Sequence, residues 1–303
     1  MKICAVIPCY KVSNKIISEL KKNYQLFDLF IVVDDCCPNK IGSEIKKKFK
    51  RKNKVKVIFN NKNLGVGGSV KKGIYYAIKK NIDIIVKIDG DCQTKFQDIK
   101  KIKKFLIKDF EFVKGNRFLK SSKVNQMPLH RNFGNRIISI IFKLLSNRWD
   151  IDDPLNGYIA FNKKLVKKIN FKKIANDYFF ETNLLFEIAQ NRIPIKHFSN
   201  YVTYRDDILS SFNPLTELLN FSIKMFAYFF KRLSENYLNL ERFNINTFLL
   251  VIIIFTLSKF GYDSFISFLN KSEIVDYISL KIGLLIFPAF YFIDYFNIKI
   301  KKK

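Results

Sequence analysis

Over residues 3–115 the chain alternates short apolar runs with amphipathic stretches of helical length, and few folds accept that order. "ICAVIP" (3–8) precedes a helical stretch from Asn14, and "FIVVDD" (30–35) precedes one over roughly 40–50. "VKVIF" (55–59) leads through the turn "NLGVGGSVKKG" into a helix ending near Lys80. "DIIVKID" (83–89), a lysine-rich helix near 96–108 and "FEFVKG" (110–115) complete the series. Strand–helix alternation with short links predicts a mostly parallel sheet covered by helices on both faces. Ligands of such sheets bind outside the carboxyl ends of the strands. The polar motifs Pro8–Tyr10, Asp34–Asp35 and Asp89–Gln93 all fall at such ends.

The last of these, "KIDGDCQT", places two carboxylates and an amide at alternate positions directly after an apolar strand. If the chain turns there, Asp89, Asp91 and Gln93 face one point, and hard divalent cations take oxygen ligands of this kind. An acidic turn capping the next helix is the plainer reading of an isolated D-x-D. Its shared location with the other motifs favours a site.

Lys and Arg number 54 against 26 Asp and Glu, a formal net charge of +28. Such an excess suits a polyanionic partner: nucleic acid, an anionic membrane surface or a phosphorylated substrate. Compositional drift toward Lys, Asn, Ile and Phe accounts for it equally well. The five cysteines (Cys4, Cys9, Cys36, Cys37, Cys92) lack a C-x-x-C pair, and their odd number argues against a disulfide framework. A reducing compartment follows more simply than a thiolate metal site. The first residues start like a strand rather than a signal peptide.

Near Asn213 the composition changes. Leu215, Leu218, Leu219, Phe226, Phe229, Phe230, Leu233 and Tyr237 recur at three- and four-residue steps with Lys224, Lys231 and Arg232 beside them. That pattern predicts an interfacial amphipathic helix over 213–242, an ordinary packing helix being the alternative. "FNINTFLLVIIIFTLS" (243–258) and "IGLLIFPAFYFI" (282–293) are uncharged, the second bounded by Lys281 and Asp294, positioned to snorkel. Extended by their flanks, both reach the roughly 20 residues a membrane span requires, which predicts a transmembrane hairpin over 243–303. Lys231, Arg232, Arg242 and the terminal "KIKKK" lie on one side of it; the link from Gly261 to Tyr277 carries one Lys against three acids. The positive-inside rule then puts residues 1–212 and the C-terminus in the cytoplasm, against the anionic inner leaflet.

In order and spacing, "VIPCYK", "VVDD", "NLGVGGSVKKG", "KIDGDCQT" and "KGNRF" resemble the family 2 glycosyltransferases, whose α/β fold is called GT-A. The nearer likeness is to the polyprenyl-phosphate branch, typified by dolichol-phosphate mannosyltransferase, and it covers roughly residues 1–212. The resemblance implies that Pro8, Cys9 and Tyr10 lie against the nucleoside and that Asp34 or Asp35 bonds the base or ribose. It implies donor contacts from Gly65, Gly68, Lys71 and Asp89, with backbone coming close at the glycine turn. Asp89, Asp91 and Gln93 become the site of a divalent metal, Mg²⁺ or Mn²⁺, that bridges the diphosphate. Asp91, Arg117 and Glu181 are implied as catalytic, and Arg117, Arg131, Arg205 and Ser210 (or Ser211) as contacts to the acceptor phosphate. "DDPLNGYIAF" (152–161) is similar to the acceptor-loop element, with Tyr158 in place of Phe. The chain departs from the family with Cys92 where Leu or Gly is usual, and with "DDCCPN" for D-D-G-S.

The chemistry of the residues agrees. A departing diphosphate is stabilised electrostatically by a metal and an arginine. A lipid phosphate, with a second pKa near 6, needs positioning by cations more than a strong base. The only two histidines, His130 and His197, adjoin no nucleophile motif and read as structural. A dinucleotide-binding oxidoreductase would need G-x-G-x-x-G after the first strand. A processive synthase would need Q-x-x-R-W, and Leu145 stands where its glutamine belongs before Arg148-Trp149. A nucleic-acid-binding protein leaves the ordered carboxylates unexplained. The expectation is a membrane-anchored, metal-dependent, inverting transferase that moves a sugar from a nucleotide diphosphate to polyprenyl phosphate for cell-envelope glycans or glycoconjugates, as a monomer or homo-oligomer. Transfer to a growing glycan is the alternative.

Overall fold

A computed structural model of the chain describes residues 1–108, 110–119, 127–200, 202, 214–237, 245–269 and 278–300. Seven strands form one sheet in the order β3-β2-β1-β4-β6-β5-β7. Strands β1 (Ile3–Cys9), β2 (Leu29–Asp34), β3 (Val55–Phe59) and β4 (Ile84–Lys87) pair in parallel. Every residue of β1 and β4 is buried, as expected of central parallel strands covered on both faces. Edge strand β3 instead has no fully buried residue, as suits a strand with a neighbour on one side only.

The crossovers are the predicted helices: α1 (Lys15–Lys22), α2 (Ile41–Lys48), α3 (Gly65–Lys79) and α4 (Ile99–Lys108). Their inward stripes, such as Ile16, Ile17 and Leu20 of α1 and Ile99, Ile102 and Leu106 of α4, join Phe27, Phe30 and Phe96 in one core. Burying a side chain of this size contributes roughly 1.5–3 kcal/mol before entropy is counted. Register places the motifs at one level, since Cys9 pairs with Asp34 and Val6 with Lys87.

In the second half of the sheet only β5, read from "FEFVKG", was legible beforehand. β5 (Phe112–Asn116) pairs with β6 (Ile159–Asn162), which runs antiparallel to both its neighbours, and with β7 (Ile195–Ser199) in parallel. Between them lie α5 (Leu129–Ser146), α6 (Lys163–Lys168) and α7 (Phe180–Gln190). The reversed β6 carries the end of "DDPLNGYIAF" back along β4, so Gly157, two residues before the strand, meets the D-x-D strand end.

The chain divides into two compact units, one of residues 1–143 and 149–222, the other of 144–148 and 223–303. In the second, α8 (Pro214–Tyr237, from Ile223 on), α9 (Ile245–Leu269) and α10 (Ile278–Ile300) pack through Leu233, Tyr237, Leu250, Ile253 and Phe290. Along α8 the apolar residues divide between two faces: Phe221, Met225, Leu233 and Tyr237 are buried, whereas Leu219, Ile223, Phe226 and Phe230 are exposed. The single apolar stripe read from the sequence is therefore two. Asp294 also differs from expectation: it does not reach outward but is buried, accepting from Arg232 Nη1 (2.9 and 3.1 Å), Asn147 Nδ2 (2.7 Å) and the Tyr237 hydroxyl. Pairing and bonding of this kind are what a buried charge requires. Outward faces of α9 and α10 remain apolar, with Ile254, Phe255, Leu284, Leu285 and Phe292 exposed. Among the described residues, one stretch, Thr247–Ser264, is by length and composition apolar enough to cross a membrane.

Candidate active site

The D-x-D turn begins where β4 ends. Gly90 sits on the end of β1: a Cβ there would lie 2.7 Å from the Pro8 carbonyl and 3.2 Å from Cys9 Sγ. Asp91 Oδ1 accepts the Gln93 N–H at 3.0 Å, closing the turn, and Cys92 between them holds a left-handed φ of 58°. Burial and the neighbouring Asp89 charge push the Asp91 acid up to about 6, against the opposing pull of the Gln93 N–H, Lys87 and Arg131. The sequence-predicted Asp89, Asp91, Gln93 and Arg131 are thus brought together.

Beneath the turn lies a layer of buried charge of which sequence reasoning singled out Glu181 but missed Lys87 and Lys114. Lys87 Nζ stands 2.5 Å from Asp89 Oδ1 and 2.6 Å from Glu181 Oε1. Burial disfavours its ammonium, but the two carboxylates outweigh that and hold its pKa above the ordinary lysine value. Glu181 lies in the first turn of α7, where the helix dipole favours an anion. Gly157 closes the layer, for a Cβ there would fall 2.4 Å from Asp89 Oδ2 and 2.5 Å from Lys87 Nζ. On β5, Lys114 donates to the Asn156 carbonyl at 2.5 Å, and burial pushes its ammonium down to about 8 despite Asp153 and Glu181.

Arg117 is engaged inside the protein. Its Nη2 lies 2.6 Å from Asp153 Oδ1, and its Nε and backbone N each lie 2.9 Å from Oδ2. Burial would raise the Asp153 acid, yet Arg117 holds it below the usual carboxylate range. Asp153 itself adopts a left-handed φ of 54°. This bidentate pair anchors the loop after β5 to the loop before β6, so the guanidinium expected at a phosphate is held by a carboxylate. Tyr158, expected in an acceptor loop, is fully buried and donates to the Lys95 carbonyl at 3.0 Å.

On the side of β1 and β2, Tyr10 is exposed while Pro8 and Cys9 are buried. Asp34 accepts from the N–H groups of Cys37 (2.7 Å) and Gly42 (2.9 Å), satisfying the start of α2. Asp35 Oδ1 accepts from Asn60 Nδ2 (2.7 Å) and the Leu64 N–H (2.8 Å). Both carboxylates are buried and hold loops. The close approach at the glycine turn is the chain's own: Gly65 (φ 78°) would place a Cβ 2.5 Å from the Asn176 carbonyl, to which the Gly68 N–H donates at 2.9 Å. Lys71 donates to the Ile174 carbonyl at 2.6 Å and lines a basic cavity of about 280 Å³ with Lys72, Lys172 and Tyr75. Burial raises the Cys9 thiol, and burial with the Asp91 charge pushes that of Cys92 up to about 12, so neither is an activated thiolate in the metal-free protein.

Arg131 is exposed on α5. Arg205 and Ser210 lie outside the described residues. His197 Nε2 lies 2.9 Å from the Asp150 carbonyl and burial lowers its pKa, which fits a structural, neutral imidazole. Nothing is described of the His130 side chain.

The donor set fits a hard divalent cation. Burial and then the Asp89 charge raise the Asp91 acid, and no group of three His, Cys, Asp or Glu side chains surrounds one point among the described residues. One or two carboxylates completed by substrate phosphates and water is the usual provision for Mg²⁺.

A mostly parallel sheet with paired carboxylates at the end of a central strand defines the GT-A class of glycosyltransferase. The Glycosyl transferase family 2 model matches residues 4–170, and the chain belongs to that family. It is 30% identical over 208 residues to the UDP-N-acetylglucosamine–dolichyl-phosphate N-acetylglucosaminyltransferase of Methanococcus voltae, covering 64% of this chain and 82% of that protein. To the dolichol-phosphate mannosyltransferase of Pyrococcus furiosus it is 27% identical, covering 58% of this chain and 50% of the relative. Among solved structures, glucosyl-3-phosphoglycerate synthase of Mycobacterium tuberculosis aligns with a TM-score of 0.54 at 18% identity, covering 76% of this chain and 80% of that one. That likeness establishes the fold; the same synthase has been solved with Mn²⁺ and UDP-glucose.

Proposed function

We propose that the protein transfers a sugar from a nucleotide diphosphate to polyprenyl phosphate in one inverting displacement at a membrane surface. The observation that carries this reading is the crowded Asp89–Asp91 pair at the strand end, whose raised Asp91 acid marks a place for a cation. Asp91 and Gln93, with Asp89 behind, would hold Mg²⁺ or Mn²⁺; when bound, the ion supplies charge stabilisation to the departing diphosphate. The chain's own residues do the rest. Tyr10 offers an exposed ring to the nucleoside, and Arg131 gives a cation on the open side of Asp91 for the acceptor phosphate. Arg205 and Ser210 remain candidates for that same phosphate. Arg117, through Asp153, shapes the floor. The acceptor oxygen needs no strong base, because much of a phosphate monoester with a second pKa near 6 is already a dianion at neutral pH.

Likeness to a dolichyl-phosphate transferase over most of that protein's length supports the lipid acceptor. The apolar outward faces of α9 and α10 and the exposed stripe on α8 support a membrane hairpin with an interfacial helix; the distribution of basic residues would put the catalytic unit on the cytoplasmic side. To test the reading, the purified full-length enzyme is given radiolabelled UDP- or GDP-sugars with either polyprenyl phosphate or a soluble oligosaccharide. Metal-dependent label in the lipid is expected. Label only in the oligosaccharide would replace it with transfer to a growing glycan.

A further inference from the structure

We infer that Lys87 is a positioning residue that couples Glu181 to Asp89 and so sets the strength of the divalent-cation site; the inference rests on the metal-dependent reading above. Three charges lie in layers of rising accessibility. Side-chain exposure is 9% for Glu181, 2% for Lys87 and 34% for Asp89, so the ammonium is sealed between one inner and one outer carboxylate. Asp89 Oδ1 is bonded to Nζ, its Oδ2 passes over Gly157, and Nζ itself lies over the same glycine.

One positive charge therefore serves two negative ones, at 2.5 and 2.6 Å. The share that Glu181 takes is withdrawn from Asp89, which leaves the outer carboxylate more anionic toward a cation at the turn. Charges a few ångströms apart in a partly buried site interact strongly enough for this to matter. A lysine needed only for packing would not require a second buried carboxylate behind it, since each buried ion adds a desolvation cost. Glu181 thus reaches the metal site through Lys87.

The test measures Mn²⁺ binding to the detergent-solubilised full-length protein by electron paramagnetic resonance of the free ion, with UDP present and no transfer assay. Glu181→Gln gives Lys87 wholly to Asp89 and should weaken Mn²⁺ binding on the order of tenfold; Lys87→Met should tighten it by a comparable factor. Lys87→Met with Glu181→Gln keeps the wild-type net charge and should return close to the wild-type affinity. Both single variants weakening Mn²⁺ alike, or neither moving it, would overturn the coupling while leaving the proposed metal site intact. A wild-type protein that retains no Mn²⁺ would overturn both. If Lys87→Met fails to fold, the near-isosteric Glu181→Gln decides alone, an unchanged affinity refuting the coupling.

Discussion

At the residue scale, the loops around the site hold non-glycine residues in left-handed backbone. Lys11, Cys36, Cys92 and Asp153 have φ between 51° and 58°, and each follows or precedes a strand whose end borders the site. Such positions cost an L-residue roughly 1–2 kcal/mol and persist where surrounding structure over-determines them. Cys36 is exposed, so glycine there loses no packing. Cys36→Gly should raise stability by roughly 1 kcal/mol and Cys36→Val should lower it, read as shifts in denaturant midpoint. Asp91 makes a second prediction. With its acid near 6 in the folded metal-free protein against 3.8 unfolded, the native state holds more protons across that interval, so stability falls as pH rises through it. Melting temperature measured with chelator should decline between pH 4 and about 6.5, and Mn²⁺ should stabilise the protein more at pH 7.5 than at 5. Asp91→Asn should abolish that decline and turnover together while circular dichroism stays native.

At the element scale, α8 and α10 meet through a charge rather than through apolar side chains alone. Arg232 and Asp294 are both almost wholly buried, and Asp294 takes further bonds from Asn147 and Tyr237. Breaking a buried pair from one side strands the other charge, at a cost of about 3–5 kcal/mol, whereas replacing both partners with apolar groups costs little. Asp294→Ala should therefore markedly lower the unfolding midpoint of the detergent-solubilised protein, and Arg232→Met with Asp294→Leu should recover most of the loss. Equal damage from the double variant would mean that shape, not charge, holds these helices. The same comparison explains why a reading of "IGLLIFPAFYFI" put Asp294 at a water-facing edge: charge at the end of an apolar run snorkels unless a partner lies within reach. That partner is 62 residues away.

For the whole molecule, the prediction concerns topology. The full-length chain should resist alkaline carbonate extraction, and a reporter fused after Lys303 should be active only in the cytoplasm. An active reporter on the far side would reverse the orientation argued from Lys231, Arg232, Arg242 and the terminal lysines. Burial of Arg232 takes one charge out of that count without changing its sign.

By itself the sequence determined the first half of the sheet and the place of the site. Each strand from β1 to β4 is a mostly apolar run, each crossover an amphipathic one, and local periodicity needs nothing distant to be read. The same holds for Asp89, Asp91 and Gln93, whose proposed role follows from spacing along one turn. Only tertiary structure decided what lies beneath them. Lys87 and Lys114 stood in plain view as lysines inside strands buried on both faces, the one signal that could have found them. Their partners, Glu181 for Lys87 and the Asn156 carbonyl for Lys114, come from β6's reversal and from the start of α7, at separations no local pattern encodes. Asp34, Asp35 and Arg117 show the converse. Their chemistry suits a ligand, and the fold also gives them N–H groups and a carboxylate as partners that no local pattern shows, since a buried polar group bonds to what the packed chain puts within reach.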